Sequence, residues 1–371
     1  MSWLKNLDSS VLEYVYNLKK EDSDFSFFPV QKLLTKNGEK LNLGFSCYAL
    51  KIFKLIDYID KLSESKIDNW AEYINSFQTK EDLEQENTFI DKGYLSSFQS
   101  DNLITGLLYP VKYISNLTIG TNYKSNNLKL ENYIRAETKQ SISTLYEIDK
   151  PNKITYKKFP KNENEINNYL NGLNWNYPWS SGGQFSAICV FSKTQLENSK
   201  FENSKKSILK FSESTVNSEN GLYYKGKVTS SYELINGAMK ILTGLDWLDA
   251  KIHYPEKIID FCLNSTVSNR GCDMVDVVYV LYRCSKQSNY KRKEVLKFFE
   301  NILLMIKSHY NQLDGGFSYF KNQNQTHYYD VKIANKSHQS DIHGTLLCIW
   351  AIVMIMDLSD LDYFKFNILK P

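Results

Sequence analysis

One pattern constrains the fold more than any other: a helix with a single apolar stripe, then a loop of Gly, Asn and aromatic residues, then a helix that is apolar on nearly every side. This pair recurs along the 371-residue chain. Its clearest copy opens at Pro255, a residue suited to the first turn of a helix, and runs to Leu263. After a loop to Gly271 comes Met274-Val-Asp-Val-Val-Tyr-Val-Leu-Tyr282, apolar almost all round. The last copy has an outer helix at 291–310, the loop Asp314-Gly-Gly-Phe317 and an inner helix at 341–357. Earlier copies pair 11–19 with 43–59, 69–77 with 135–148, 165–173 with 184–192, and 205–211 with 230–245.

A striped helix can lie on a surface, but a helix that is greasy all round must be enclosed. Six such pairs predict an all-α chain, an (α/α)6 toroid or alpha-alpha barrel, whose apolar helices form an inner ring wrapped by the others. An open superhelical solenoid is the topological competitor. Closure is favoured because the chain's last inner helix is strongly apolar, and an open array would expose it. The expectation is one toroid domain over residues 1–371, with an irregular insert at about 80–132 that is rich in Asn, Ser and Gly and broken by Tyr109-Pro110. Inner helices should begin near residues 43, 135, 184, 230, 273 and 341, all at the same end of the ring.

Composition excludes several classes. With 16 Gly and 7 Pro, the chain lacks the turn residues of a β-sandwich or propeller. At 42% hydrophobic and 14% aromatic it is not disordered. Lys+Arg of 45 against Asp+Glu of 42 argues against a nucleic-acid partner. The six cysteines show no C-x-x-C spacing and read as reduced core thiols of a cytoplasmic protein. No signal peptide is visible, and the longest apolar run, 346–356, is shorter than the roughly 20 residues of a membrane span. No phosphate loop, dinucleotide fingerprint or H-E-x-x-H motif is present, so no cofactor or metal is expected.

Three segments carry a resemblance: Arg270-Gly-Cys-Asp-Met-Val-Asp-Val-Val-Tyr279, Asp314-Gly-Gly-Phe317 and Asp341-Ile-His343. Together they resemble the protein prenyltransferase β subunits and, in the Gly-Gly-Phe loop, the squalene and oxidosqualene cyclases. The motif match covers about 270–350, and the helix-pair repeat covers most of the chain. It implies a toroid with a central cavity of terpenoid cyclase or prenyltransferase type. In prenyltransferases an Asp, a Cys two residues later and a later His bind zinc. Asp276 and His343 match the Asp and His, but Val278 stands where the thiolate would be. The compact Asp-rich motif of the cyclases is absent, so tight zinc binding is not expected. Similar toroids occur among polysaccharide lyases, glycoside hydrolases and sugar epimerases. The alternatives are therefore a carbohydrate-active enzyme acting on a glycan or sugar nucleotide, and a non-catalytic scaffold that binds a ligand or protein.

The candidate catalytic residues are Asp276, His343, Asp273 and Asp341. Asp273 and Asp276 share a helix face at the mouth of the cavity, where coupling would leave a proton on one of them; alternatively both serve the helix start. His338, Asp341 and His343 cluster at the start of the last inner helix, as a base with its orienting carboxylate or as a cap. Candidate substrate-binding residues are Arg135, which could hold a carboxylate or phosphate, the loop aromatics Trp175 and Trp179, Tyr232 and Tyr279 on inner helices, and His338. The lining decides between the readings. An aromatic, uncharged lining favours an isoprenoid, convergent Arg, Asp, His and Tyr favour a sugar, and a filled cavity favours the scaffold.

Overall fold

The computed structural model describes residues 2–79, 87–107, 125–228 and 230–371. Outer helix α1 (Leu7–Asn17) leads through the short α2 (Lys36–Lys40) to inner helix α3 (Leu43–Leu55). Outer α4 (Glu64–Asn75) leads through α5 (Lys92–Leu107) to inner α6 (Asn126–Tyr146). The remaining pairs are α7 (Glu163–Asn171) with α8 (Pro178–Gln195), α9 (Asn198–Thr215) with α10 (Ser231–Trp247), and α11 (Pro255–Leu263) with α12 (Gly271–Gln287). Last come outer α13 (Arg292–Lys307) and inner α14 (Ile342–Leu358), separated by an antiparallel hairpin, β1 (His327–Tyr328) and β2 (Val331–Lys332).

The inner helices close on themselves. α3 packs on α6, α6 on α8, α8 on α10, α10 on α12, α12 on α14, and α14 returns to α3. This closed circuit is an all-α (α/α)6 toroid rather than an open solenoid. The last inner helix shows why closure is favoured: Ile349, Ile352, Val353, Met354 and Met356 are all buried, on every side of α14.

Neighbouring inner helices run parallel. Contacts along α8 and α10 rise together, from Gly182 beside Gly237 to Cys189 beside Gly244. Asn236 reaches Asp273 and Asp246 reaches Tyr279, so α10 and α12 share that direction. Residues after α14 cross the far end of the ring. Asn367 bonds the carbonyls of Leu55 and Lys54, Lys370 bonds Glu147, and Trp247 bonds the Pro371 oxygen. One segment thus meets the C-terminal ends of α3, α6 and α10, and at α3 it satisfies two carbonyls that a helix end leaves unpaired.

Two inner helices begin earlier than the sequence pattern indicates. α6 starts at Asn126 rather than near 135, because Ser125 caps it by accepting the Leu128 N–H at 3.2 Å. α8 starts at Pro178 rather than near 184, so Gly182-Gly183 lies inside a helix and not in a loop. Gly182 is required there by close packing: a Cβ would sit 3.0 Å from the Gly237 carbonyl oxygen. Of the insert expected at 80–132, residues 80–86 and 108–124, including Tyr109-Pro110, lie outside the described residues; α5 and the start of α6 are regular helix.

Candidate functional site

The functional candidates gather where the inner helices begin. His343 is in the first turn of α14. Its ring is sandwiched between Tyr48 of α3 (centroids 4.9 Å, interplanar 10°) and Tyr319 (5.3 Å, 28°). Gln325 Oε1 lies 3.0 Å from Nδ1, so Nδ1 carries the hydrogen and Nε2 keeps the lone pair. Burial, reinforced by the charge of Lys240, lowers the His343 pKa to about 4, and the imidazole is neutral near pH 7.

Tyr319 also joins α14 to α12: its hydroxyl lies 2.6 Å from the Cys272 thiol, one turn before Asp276. Asp276 is 4% exposed and makes no hydrogen bond or ion pair among the described residues. Burial pushes its pKa up to about 7, with Lys240 opposing and Asp273 adding to the rise. A carboxyl in this state holds a proton near neutrality and can donate it. Lys240 projects from the third turn of α10, and its charge acts on both Asp276 and His343.

The other candidate carboxylates are engaged by the fold. Asp273 accepts from Arg270 Nε at 3.0 Å, from Asn236 at 3.4 Å and from the Ser268 hydroxyl. Asp341 caps α14 by accepting the Gly344 N–H at 2.7 Å, and also takes the N–H groups of Tyr319 (2.8 Å) and Gln325 (2.9 Å). It thereby fixes two of the three residues that hold His343, Tyr319 and Gln325. The Asp314-Gly-Gly-Phe317 loop serves the same helix start. Asp314 accepts from Ser340, and Phe317 N–H bonds Thr345 Oγ1.

Above this layer lies an aromatic and cationic rim. Arg270 sits over the Tyr232 ring at 4.7 Å, and Tyr232 meets Trp179 edge-on at 5.5 Å. The remaining candidates lie elsewhere. Trp175 is buried against Phe211 of α9 with its indole N–H on the Leu170 carbonyl, so it fills the space between outer helices. His338 is exposed on a loop. Arg135 is half-buried, bonded to Asn132, with its charge felt by Tyr156 and Tyr169. Tyr279 lies deeper, bonding Asp246 and packing on Trp350.

Sequence reasoning missed the lysines of the inner ring, Lys51, Lys139 and Lys240, as well as Tyr48, Gln325 and Glu137 as site residues. A signal existed for two of them. Lys51 interrupts Leu50-Lys-Ile-Phe53 and Lys240 interrupts Met239-Lys-Ile-Leu242, just as Asp276 interrupts a run of valines. Glu137 is fully buried, accepts the Tyr328 hydroxyl at 2.6 Å, and burial raises its pKa to about 8. Gly44 makes this bond possible, since a Cβ there would sit 2.1 Å from the Tyr328 oxygen.

Among the described residues no group of three or more His, Cys, Asp or Glu could hold a metal ion. At the position where the resemblance would call for a thiolate, Val278 is buried in the core. Among the described residues no helix is long and apolar enough to cross a membrane. No protein-family model and no curated protein matches the chain. Among solved structures it is similar to a possible member of the GH105 family from Salmonella enterica subsp. enterica serovar Paratyphi A str. ATCC 9150. That similarity has a TM-score of 0.44 and 10% identity, and covers 96% of this chain and 94% of that one.

Proposed function

We propose that the protein is a carbohydrate-active enzyme that binds a saccharide at the N-terminal ends of its inner helices, with Asp276 as proton donor. The observation that carries this reading is the Asp276 carboxyl, buried, without a partner and held protonated near neutrality beside a neutral imidazole. In hydrolysis Asp276 gives its proton to the departing glycosidic oxygen. Water adds to the anomeric carbon, and His343 Nε2 takes the proton that water releases. Tyr48 and Tyr319 hold the imidazole plane, and Trp179 and Tyr232 offer faces on which a sugar ring can stack. The terpenoid reading is less well supported, because the inner helices bring polar groups to this end, Asp276 and His343 with the charge of Lys240 acting on both, rather than a continuous aromatic surface. It would also lack the thiolate ligand that its prenyltransferase form requires.

The test is release of reducing ends from a panel of neutral and acidic oligosaccharides. Asp276→Asn should lower turnover on any substrate found by about 100-fold or more while the variant stays folded. Unchanged turnover in that variant would overturn the assignment of Asp276, and a panel in which no saccharide is bound or cleaved would overturn the reading as a whole.

A further inference from the structure

Glu137 takes no part in the chemistry just described, yet it is fully buried on α6 and makes no ion pair among the described residues. Its bonds run to neutral groups, the Tyr328 hydroxyl at 2.6 Å and the Gln140 amide at 3.4 Å. Burial pushes its pKa up to about 8, so it is a neutral acid near pH 7. A buried pair of neutral polar groups adds little stability over apolar side chains of the same shape. Its effect is directional: a satisfied buried hydrogen bond admits one position of the partner where apolar packing admits several.

What the bond holds is the hairpin that serves His343. Tyr328 lies in β1, three residues after Gln325, whose Oε1 accepts from His343 Nδ1. The Tyr328 ring packs edge-on against Tyr48 at 6.2 Å, and Tyr48 stacks on the imidazole at 4.9 Å. Two routes therefore lead from Glu137 to His343, one along the backbone to Gln325 and one through the Tyr48 ring. The hairpin has other ties. Asp341 holds the Gln325 N–H at α14, Thr35 holds the return strand through the Lys332 and Ile333 carbonyls, and Lys129 pairs with Asp330 at the exposed tip. Asp341 fixes the end of the segment near His343, and Glu137 fixes the far end from inside the core.

Resting on the reading of His343 as the base, we infer that Glu137 and Tyr328 are positioning residues: their hydrogen bond clamps the hairpin to α6 and so keeps Gln325 on Nδ1 and Tyr48 against the ring, leaving Nε2 as the free base. They act through the imidazole rather than on substrate. An imidazole with a fixed acceptor at Nδ1 presents one tautomer. A ring that loses that acceptor divides between two tautomers, and water admitted beside it eases the second protonation.

Nitrogen-15 NMR of the full chain reads this without any substrate, the His343 signals being those lost in His343→Ala. In the parent, Nδ1 should carry the hydrogen, Nε2 should not, and the ring should protonate near pH 4. Tyr328→Phe and Glu137→Leu should each mix the two tautomers and raise the midpoint by at least about one pH unit. Glu137→Gln, which keeps a carbonyl oxygen for the Tyr328 hydroxyl, should preserve the parent signals. Lys129→Ala, which removes only the exposed tie at the hairpin tip, should preserve them too. Tyr328→Phe deletes a single oxygen atom, so the variant that decides the matter is also the one least able to unfold the chain. If it keeps the parent tautomer and midpoint, the inference is overturned. A parent whose Nε2 carries the hydrogen overturns it as well, as does a Lys129→Ala change as large as that of Tyr328→Phe. On a substrate found in the saccharide panel, Tyr328→Phe should lower kcat by about tenfold with KM unchanged. A lost tautomer preference with kcat unchanged would uphold the clamp and overturn His343 as the base. A panel without any substrate would overturn the proposed function alone, since the NMR outcome stands by itself.

Discussion

The two ends of the inner ring use the same residue types to opposite effect. At the C-terminal end, Asp246 pairs with Arg283 and accepts the Tyr279 hydroxyl at 3.2 Å. Asp357 there takes Lys286 at 2.7 Å and the Tyr282 hydroxyl at 2.8 Å. At the N-terminal end Asp276 has no partner among the described residues, although Asp273, three residues away, has three. Burial alone therefore does not distinguish a structural carboxylate from a chemical one. The distinction lies in whether the fold supplies donors. A carboxyl to which the fold supplies no donor is open to water or to a ligand.

The sharpest way to break this comparison is to remove a carboxylate from the paired end. Asp246→Ala strands Arg283 and should cost about 3–5 kcal/mol in denaturant unfolding. A loss below about 1 kcal/mol would show that the paired end does not hold the ring together. Asp341→Ala leaves three backbone N–H groups without their acceptor, and a cost of about 3 kcal/mol is expected. Activity should fall with it, because Tyr319 and Gln325 both position His343.

Asp276→Asn should behave in the opposite way and stabilise the fold at pH 8, by on the order of 2 kcal/mol. The sign follows from linkage. The folded pKa of Asp276 is about 7 against an ordinary 3.8, so the folded state keeps a proton that the unfolded chain releases. That contribution is present below about pH 4 and is lost as pH rises through 7. Glu137 acts with the same sign up to about pH 8. His343 runs the other way: its pKa falls from 6.5 to about 4, so its contribution is lost as pH falls across that range. Unfolding free energies of parent and variant, measured from pH 5 to pH 8, should diverge as pH rises; parallel curves would mean that Asp276 is solvated or paired. Trp175→Phe, which removes one hydrogen bond far from the site, should cost only about 1 kcal/mol and leave turnover unchanged.

The architecture was legible because helix periodicity and enclosure are properties of local sequence. The striped and greasy helices alternate in the chain as they do in space, and each inner helix expected from that pattern has its counterpart in the ring. The starts of α6 and α8 were less legible. The Ser125 cap is a single local hydrogen bond and Gly182 packs closely against α10, and neither leaves a periodic trace. At the site, Asp276 and His343 stood out as polar interruptions of apolar runs. Which of the four candidate acids and bases lacks partners could not be read, since the donors to Asp341 come from a loop about 20 residues away and those to Asp273 partly from another helix. The lysines were partly legible: Lys51 and Lys240 interrupt apolar runs as Asp276 does, whereas Lys139 stands in the polar stretch Thr138-Lys-Gln140, which marks nothing.

The most direct test is the ionisation of Asp276 itself. A carbon-13 NMR titration of the side-chain carboxyl, assigned by the loss of its signal in Asp276→Asn, reads the pKa without any substrate. A midpoint near 7 is expected, set by burial without a donor. A midpoint near 4 would mean that water or an unseen partner serves this carboxyl, and the distinction between the two ends of the ring would be lost.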